Sequence, residues 1–304
     1  MKKVLALVLC LVLALGATSA LAASKVTLIT MDLMDQHWVN VDNGCKDAVA
    51  ELKAQGIEIE YKWDAPTDGK NDQAQIESIN NAFADNASVI LLASNGPDVQ
   101  VETIQQCADA GVKFIYVDSP ANFPAEQTLA TNNTNAGETA GQEMLKALEA
   151  AGTTEGKIGI VNVNAATQST VDREAGFRKA FEGTKFEILE TQYGEGKVDA
   201  SQELAANYIT QGCVGIFGTN EGGTVGVGNA IKEAGDGVIG VGFDQSDAIK
   251  ELTKEGVLLC AMAQDPYKMG YEGMMTAAKV LAGEEITEKN VDTGVQVVDA
   301  AALQ

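Results

Sequence analysis

The chain has 304 residues, 45% of them apolar, and a formal charge of −22 at pH 7. That apolar content excludes a disordered chain despite the charge, and so acidic a surface excludes nucleic acid and acidic lipid as partners in favour of a neutral or cationic small ligand. The length admits one large or two medium domains.

Lys2 and Lys3 precede an apolar run from Val4 to Leu15, and Ala20-Leu21-Ala22 supplies a small-x-small cleavage pattern. This predicts a cleaved export signal over residues 1–22 and a periplasmic or otherwise extracytoplasmic product. An apolar core of about a dozen residues is short for a membrane span of ~20. Cys10 lies mid-run behind Leu9, a poor context for lipoprotein processing. No later stretch is long and apolar enough to span, so no direct membrane insertion is expected after cleavage. The mature chain carries 19 basic against 43 acidic residues, a charge of −24.

Its four cysteines, Cys45, Cys107, Cys213 and Cys260, form no C-x-x-C pair and sit in apolar periodic segments, which reads as small buried hydrophobes. With one histidine, His37, a zinc site has too few ligands. Asp64, Asp68-Gly69 and Asp72 supply some carboxylates of a calcium loop, but Pro66 and Gln75 occupy its third and twelfth positions. No metal and no cofactor is expected.

The first βα unit is a buried strand at Val26, Leu28 and Ile29 followed by a helix with Val41, Cys45, Ala48, Val49 and Leu52 on one face. Between them lie Met31, Asp32, Asp35, Gln36, His37 and Trp38, more polar and aromatic surface than a simple connection needs. Ligands of open α/β sheets bind outside the carboxyl ends of strands, so this loop is one wall of a candidate site. Strands follow at 57–61, 89–92 and 114–117, with helices at 72–86 and 101–111 between them, and a connector runs over 123–131. A second series has a helix at 136–151, one after the 164–170 loop through Ala175 and Phe181, and others at 201–211 and 224–234, with strands at 158–163, 186–190, 214–217 and 238–243. The alternation predicts two α/β lobes, each a doubly wound parallel sheet, joined by a hinge with a ligand cleft between them.

The segments HWVNVDNGCKDA, VILLASNGPD, KFIYVDSPAN, DREAGFRKAF, GIFGTNEGG, IGVGFDQSDAI and LLCAMAQDPYKMGYEG keep an order and spacing over about residues 25–298. In these the chain resembles the periplasmic sugar-binding proteins of the ribose and galactose type, substrate-binding proteins of ABC transporters. The resemblance implies residues 23–130 plus 265–290 for the first lobe and 131–264 plus 291–304 for the second. It implies crossings near 125–131, 263–265 and 285–293, a ligand held by closure, and a monomer that meets a membrane permease. Position by position it implies ligand contacts at Asp35, His37, Trp38, Ser94, Asp118, Ser119, Asn220, Asp244 and Gln264, with Trp38 lying flat against a sugar ring. The chain departs from the ribose type at Ser119 and Val171, where arginines are expected, and at Gly196, where an aromatic is expected with Tyr193 the nearest substitute. Arg173 aligns with a structural arginine. Losing two arginines argues for a sugar or polyol other than ribose.

Asp118, Asp244 and Asn220 read without the resemblance as loop ends that cap a following helix. Catalysis lacks a signature: Gly226-Val227-Gly228 falls inside a helix, residue 231 is Ile, and there is no phosphate loop or nucleophile elbow. A carboxylate-based hydrolase and a sensor that hands its closed form to a chemoreceptor or kinase remain as alternatives. An imidazole at the ligand makes affinity change between about pH 5.5 and 7.5.

Overall fold

The computed structural model describes residues 24–67, 70–235 and 237–304. The export signal at 1–22 and Asp68-Gly69 of the candidate calcium loop lie outside the described residues. In chain order, β1 (Ser24–Ile29), α1 (Gln36–Ala54), β2 (Ile59–Asp64), α2 (Asp72–Ala84), β3 (Val89–Leu92), α3 (Val101–Asp109), β4 (Lys113–Val117) and β5 (Gln127–Ala130) come first. The second series is α4 (Asn133–Ala150), β6 (Glu155–Asn162), α5 (Gln168–Ala180), β7 (Lys185–Ile188), β8 (Gln192–Tyr193), α6 (Val198–Thr210), β9 (Cys213–Gly218), α7 (Glu221–Ala234), β10 (Ile239–Phe243), α8 (Asp247–Lys254) and β11 (Leu258–Gln264). The chain finishes with α9 (Pro266–Leu281), β12 (Asn290–Asp292) and β13 (Val295–Asp299).

The strands form two sheets. The first runs β12-β5-β4-β3-β1-β2 with every pair parallel. The second runs β13-β11-β10-β9-β6-β7, with β8 beside β6, and is parallel except for β13, which pairs antiparallel with β11 at its edge. Strands such as β3, buried along its whole length, are continuously apolar because helices cover both sheet faces. In the first lobe α1 and α9 pack on one face and α2 and α3 on the other. In the second, α4 and α5 face α6, α7 and α8 across the sheet.

Close helix crossings set the spacing in both lobes. A Cβ on Gly270 of α9 would lie 1.9 Å from the Val41 carbonyl of α1, and one on Gly137 of α4 would lie 2.0 Å from the Arg173 carbonyl of α5. Only glycine lets the backbones touch there. Cys45, Cys107, Cys213 and Cys260 are buried free thiols. No described helix is long and apolar enough to cross a membrane.

The chain passes between the sheets at Thr131-Asn132, at Asp265 and at Thr293-Gly294. A boundary at 290/291 falls inside β12, whose three residues all pair with β5. β5 itself lies within the segment read as a connector. Its four residues carry Gln127 and Thr128 and are ordered by β4 and β12 on either side, a tertiary effect that local pattern does not carry. Hydrogen bonds tie the strips together: Thr293 N donates to Ala130 O at 2.9 Å and Asn132 N to the Asp292 side-chain Oδ1 at 3.1 Å.

Candidate functional site

Asp118 and Asp244 stand just beyond β4 and β10. Each has a left-handed backbone, φ +69° and +75°, and each donates its N–H to the next strand's carbonyl, Leu129 O at 2.8 Å and Met262 O at 2.9 Å. Such backbones cost about 1–3 kcal/mol and persist where the surroundings over-determine them. Neither caps a helix; Ser246 caps α8. Both turn their carboxylates to His37, which Asp118 Oδ2 meets at Nε2 (3.1 Å) and Asp244 Oδ1 at Nδ1 (3.3 Å).

Burial alone would lower the pKa of His37, but Asp244 and Asp118 outweigh it and raise the value to about 10. Burial would raise Asp244, yet His37, Arg173 and Gln264 hold it down at about 2. The imidazole is therefore an imidazolium across the range in which an ordinary histidine titrates.

Around this triad lies a narrow cavity of about 20 Å³ bounded by both lobes. Asp35, His37, Trp38, Lys70 and Asp118 face it from the first lobe, and Ser169, Thr170, Arg173, Asn220, Asp244 and Gln264 from the second and the crossing, with Met31 and Val163 between. Seven of the nine residues expected at the ligand thus share one wall. Ser94 and Ser119 do not. Ser94 Oγ donates to Gln100 Oε1 at 2.9 Å, and Ser119 Oγ accepts from Ser169 N at 3.4 Å, both fully buried behind the wall. Tyr193 is 45% exposed and also lies off it.

Arg173, expected as a structural arginine, also lines the cavity, which pattern reasoning missed. Its guanidinium donates to Asn133 Oδ1 (2.8 Å), Thr219 O (3.0 Å) and Gln264 Oε1 (2.7 Å) and lies 4.2 Å over the Phe243 ring. Gln264 in turn donates to Asp244 Oδ1 at 2.7 Å. Lys70 carried no signal at all. It reaches in from the β2–α2 loop to Asp32 at 2.6 Å and Asp35 at 2.9 Å, its side chain 4% exposed. There it lies against Gly196 of the second lobe, where any Cβ would collide with it. Glu221 was also missed, although an acid directly after a capping Asn is a helix-start signal.

Glu221 links the lobes. Helix α1 has no side-chain cap of its own, and Glu221 supplies one from α7, accepting from Gln36 N at 2.9 Å and His37 N at 3.0 Å. A carboxylate at a helix N-terminus suits the orphan N–H groups and the dipole. Burial first, then Asp35 and Asp244, push Glu221 up to about 7 against those two bonds. Asp247 N, donating to Gln36 Oε1 at 3.0 Å, and Thr167 Oγ1, donating to Asn95 O at 2.8 Å, also cross the seam.

Residues 26–285 match the profile of the periplasmic binding protein domain. The chain belongs to that family. The ribose import binding protein of Haemophilus influenzae is 26% identical over 294 residues, 95% of this chain and 97% of that one. Two solved structures superpose over nearly the whole described chain. An ABC transporter solute-binding protein from Agrobacterium vitis with bound D-fucose has TM-score 0.86 and 28% identity, covering 92% of this chain and 97% of its own. A carbohydrate transporter solute-binding protein from Agrobacterium radiobacter with D-arabinose has TM-score 0.85 and 27% identity, covering 93% and 97%.

Proposed function

We propose that this family member captures a neutral monosaccharide or polyol between its lobes and delivers it, outside the cytoplasmic membrane, to an ABC transporter permease. The observation that carries this is the cavity wall, where both lobes contribute groups of both hydrogen-bonding senses. Asp118 Oδ1 and Asp244 Oδ2 accept no bond from the described residues, and the buried donors Trp38 Nε1 and Asn220 Nδ2 have no partner among them. A hydroxyl accepts from one and donates to the other, so a polyol answers both sets. The ribose, fucose and arabinose named with the relatives belong to that chemical class.

The wall suits binding better than turnover. Glycosidic cleavage needs a carboxyl that gives up a proton; Asp244 is held ionised, and Asp35, raised by burial, is tied to Lys70 at 2.9 Å. Glu221, raised to about 7, has both oxygens on backbone N–H groups and lies off the cavity wall. The relatives' description as import and transporter binding proteins favours a permease over a sensor as the partner. A ligand shifts the lobes toward closure only by touching both, and here the aspartates from both sides meet one imidazolium.

The test is a thermal-shift screen of the mature protein against pentoses, hexoses and polyols, followed by calorimetry. A ligand specific to the native state adds RT ln(1 + [L]/Kd), about 4 kcal/mol at a thousandfold excess over Kd. One sugar that raises the transition without being consumed supports the reading. No response to any sugar or polyol removes it.

A further inference from the structure

Building on the sugar-cleft reading, we infer that Trp38 recognises the ligand through its indole N–H rather than its ring face, acting with Asn220 Nδ2 from the opposite lobe as a reader of ligand oxygens. Trp38 is 4% exposed. Its ring packs in the first lobe's core with Met31 and Val41 and forms a T-shaped pair with His37, centroids 4.6 Å apart and planes at 89°. So little of the indole face is left for a sugar. Trp38 lines the cavity, and its Nε1 is buried with no partner among the described residues. An indole nitrogen can only donate.

The chain's other indole gives the contrast: Trp63 Nε1 donates to Thr30 Oγ1 at 2.8 Å. Asn220 has the same one-sided chemistry by another route. Its Oδ1 is committed to capping α7, accepting from Gly223 N at 3.1 Å, so the amide's remaining polar group is the donor Nδ2, also buried and unpaired, on a residue that lines the cavity. Each donor is satisfied by a hydroxyl, ring or carbonyl oxygen and left unpaired by a methylene. Unpaired buried donors are penalised far more than ordinary bonds are rewarded. The pair therefore discriminates a sugar from its deoxy analogue at the positions the donors meet.

The experiment has two arms, with D-ribose, D-arabinose, D-fucose and D-galactose as probes and the single-deoxy analogues of whichever binds. In ¹⁵N-labelled wild-type protein, the binding sugar moves the Trp38 indole N–H resonance downfield while that of Trp63 stays in place. A binding sugar that leaves the Trp38 resonance unmoved overturns the inference. By calorimetry, Trp38→Phe keeps an aromatic face and loses the donor. It should weaken the parent sugar by roughly tenfold to a hundredfold, and lose no more against one particular deoxy analogue. A uniform loss against parent and all deoxy analogues means the ring face is read, and also overturns it. If no probe binds the wild type at all, the reading of the cleft as a sugar site fails and takes this inference with it, an outcome distinct from binding without an indole response.

Discussion

Asp118 and Asp244 occupy matching strand ends with the same left-handed backbone, yet the walls behind them are built differently. Behind Asp244 the second lobe holds a closed network in which Arg173 bonds Asn133, Thr219 and Gln264 and Gln264 bonds Asp244. Its hydrogen-bond anchors lie in the second lobe or at its crossing strand, and Arg173 reaches Asp118 Oδ2 across the seam only at 3.8 Å. The first lobe has no guanidinium. It has His37 and Lys70, whose surroundings include Asp244, Glu221 and Gly196 across the seam. One wall is set by its own lobe, and the other takes its final form when the lobes meet.

The sharpest break of that comparison is Arg173→Met. Removing the guanidinium leaves three buried acceptors without their donor, and breaking such a network costs about 3–5 kcal/mol. Urea unfolding of the unliganded protein should show that loss. A wild-type midpoint would mean that the second wall is not held by Arg173. Asp244→Asn should act on binding instead. Loss of the charged acceptor weakens sugar affinity by roughly tenfold to a hundredfold, as for other bonds to charged groups, and calorimetry showing unchanged affinity would remove Asp244 from the contact set.

Proton linkage tests the seam. Glu221 rises from 4.5 to about 7 and His37 from 6.5 to about 10 where the lobes meet. Groups whose pKa is higher in the joined form favour that form at low pH. Affinity should therefore fall as pH rises, first toward about 7 through Glu221 and then toward about 10 through His37, of whose two carboxylates only Asp244 lies across the seam. The histidine window expected at pH 5.5–7.5 from an ordinary imidazole moves upward, because two carboxylates hold the proton. Glu221→Gln should flatten the lower step and leave the upper one. A Glu221→Gln profile that superposes on wild type would show that Glu221 carries no linkage.

Lys70→Met should have the smallest effect on binding, about threefold to tenfold, as for a single bond to a charged group. Asp32 keeps its bonds from Met34 N and Asp35 N, but two carboxylates packed around the ammonium lose their counter-charge, so the urea midpoint should fall as well. Unchanged affinity together with an unchanged midpoint would remove Lys70 from the wall.

Asp118, Asn220 and Asp244 were legible because each stands within two residues of the end of an apolar strand, and sheet geometry places such residues at the cleft. Ser94 and Ser119 sit at equally good strand ends, but their side chains turn into hydrogen bonds behind the wall. Strand position fixes where a backbone ends and leaves open which way a short hydroxyl points. Lys70 was illegible for the opposite reason: a lysine in a polar loop reads as solvated, and only its two aspartates and Gly196 bury it.

The sequence by itself determined two βα series, their buried strands, the family resemblance and the order of the polar loops, because period and turn chemistry are local properties of the chain. The tertiary structure decided β5 and β12, the capping of α1 by Glu221, the imidazolium state of His37 and the unpaired indole of Trp38. Each of these depends on contacts between residues far apart in sequence, and hydrogen bonding and desolvation are set by such neighbours.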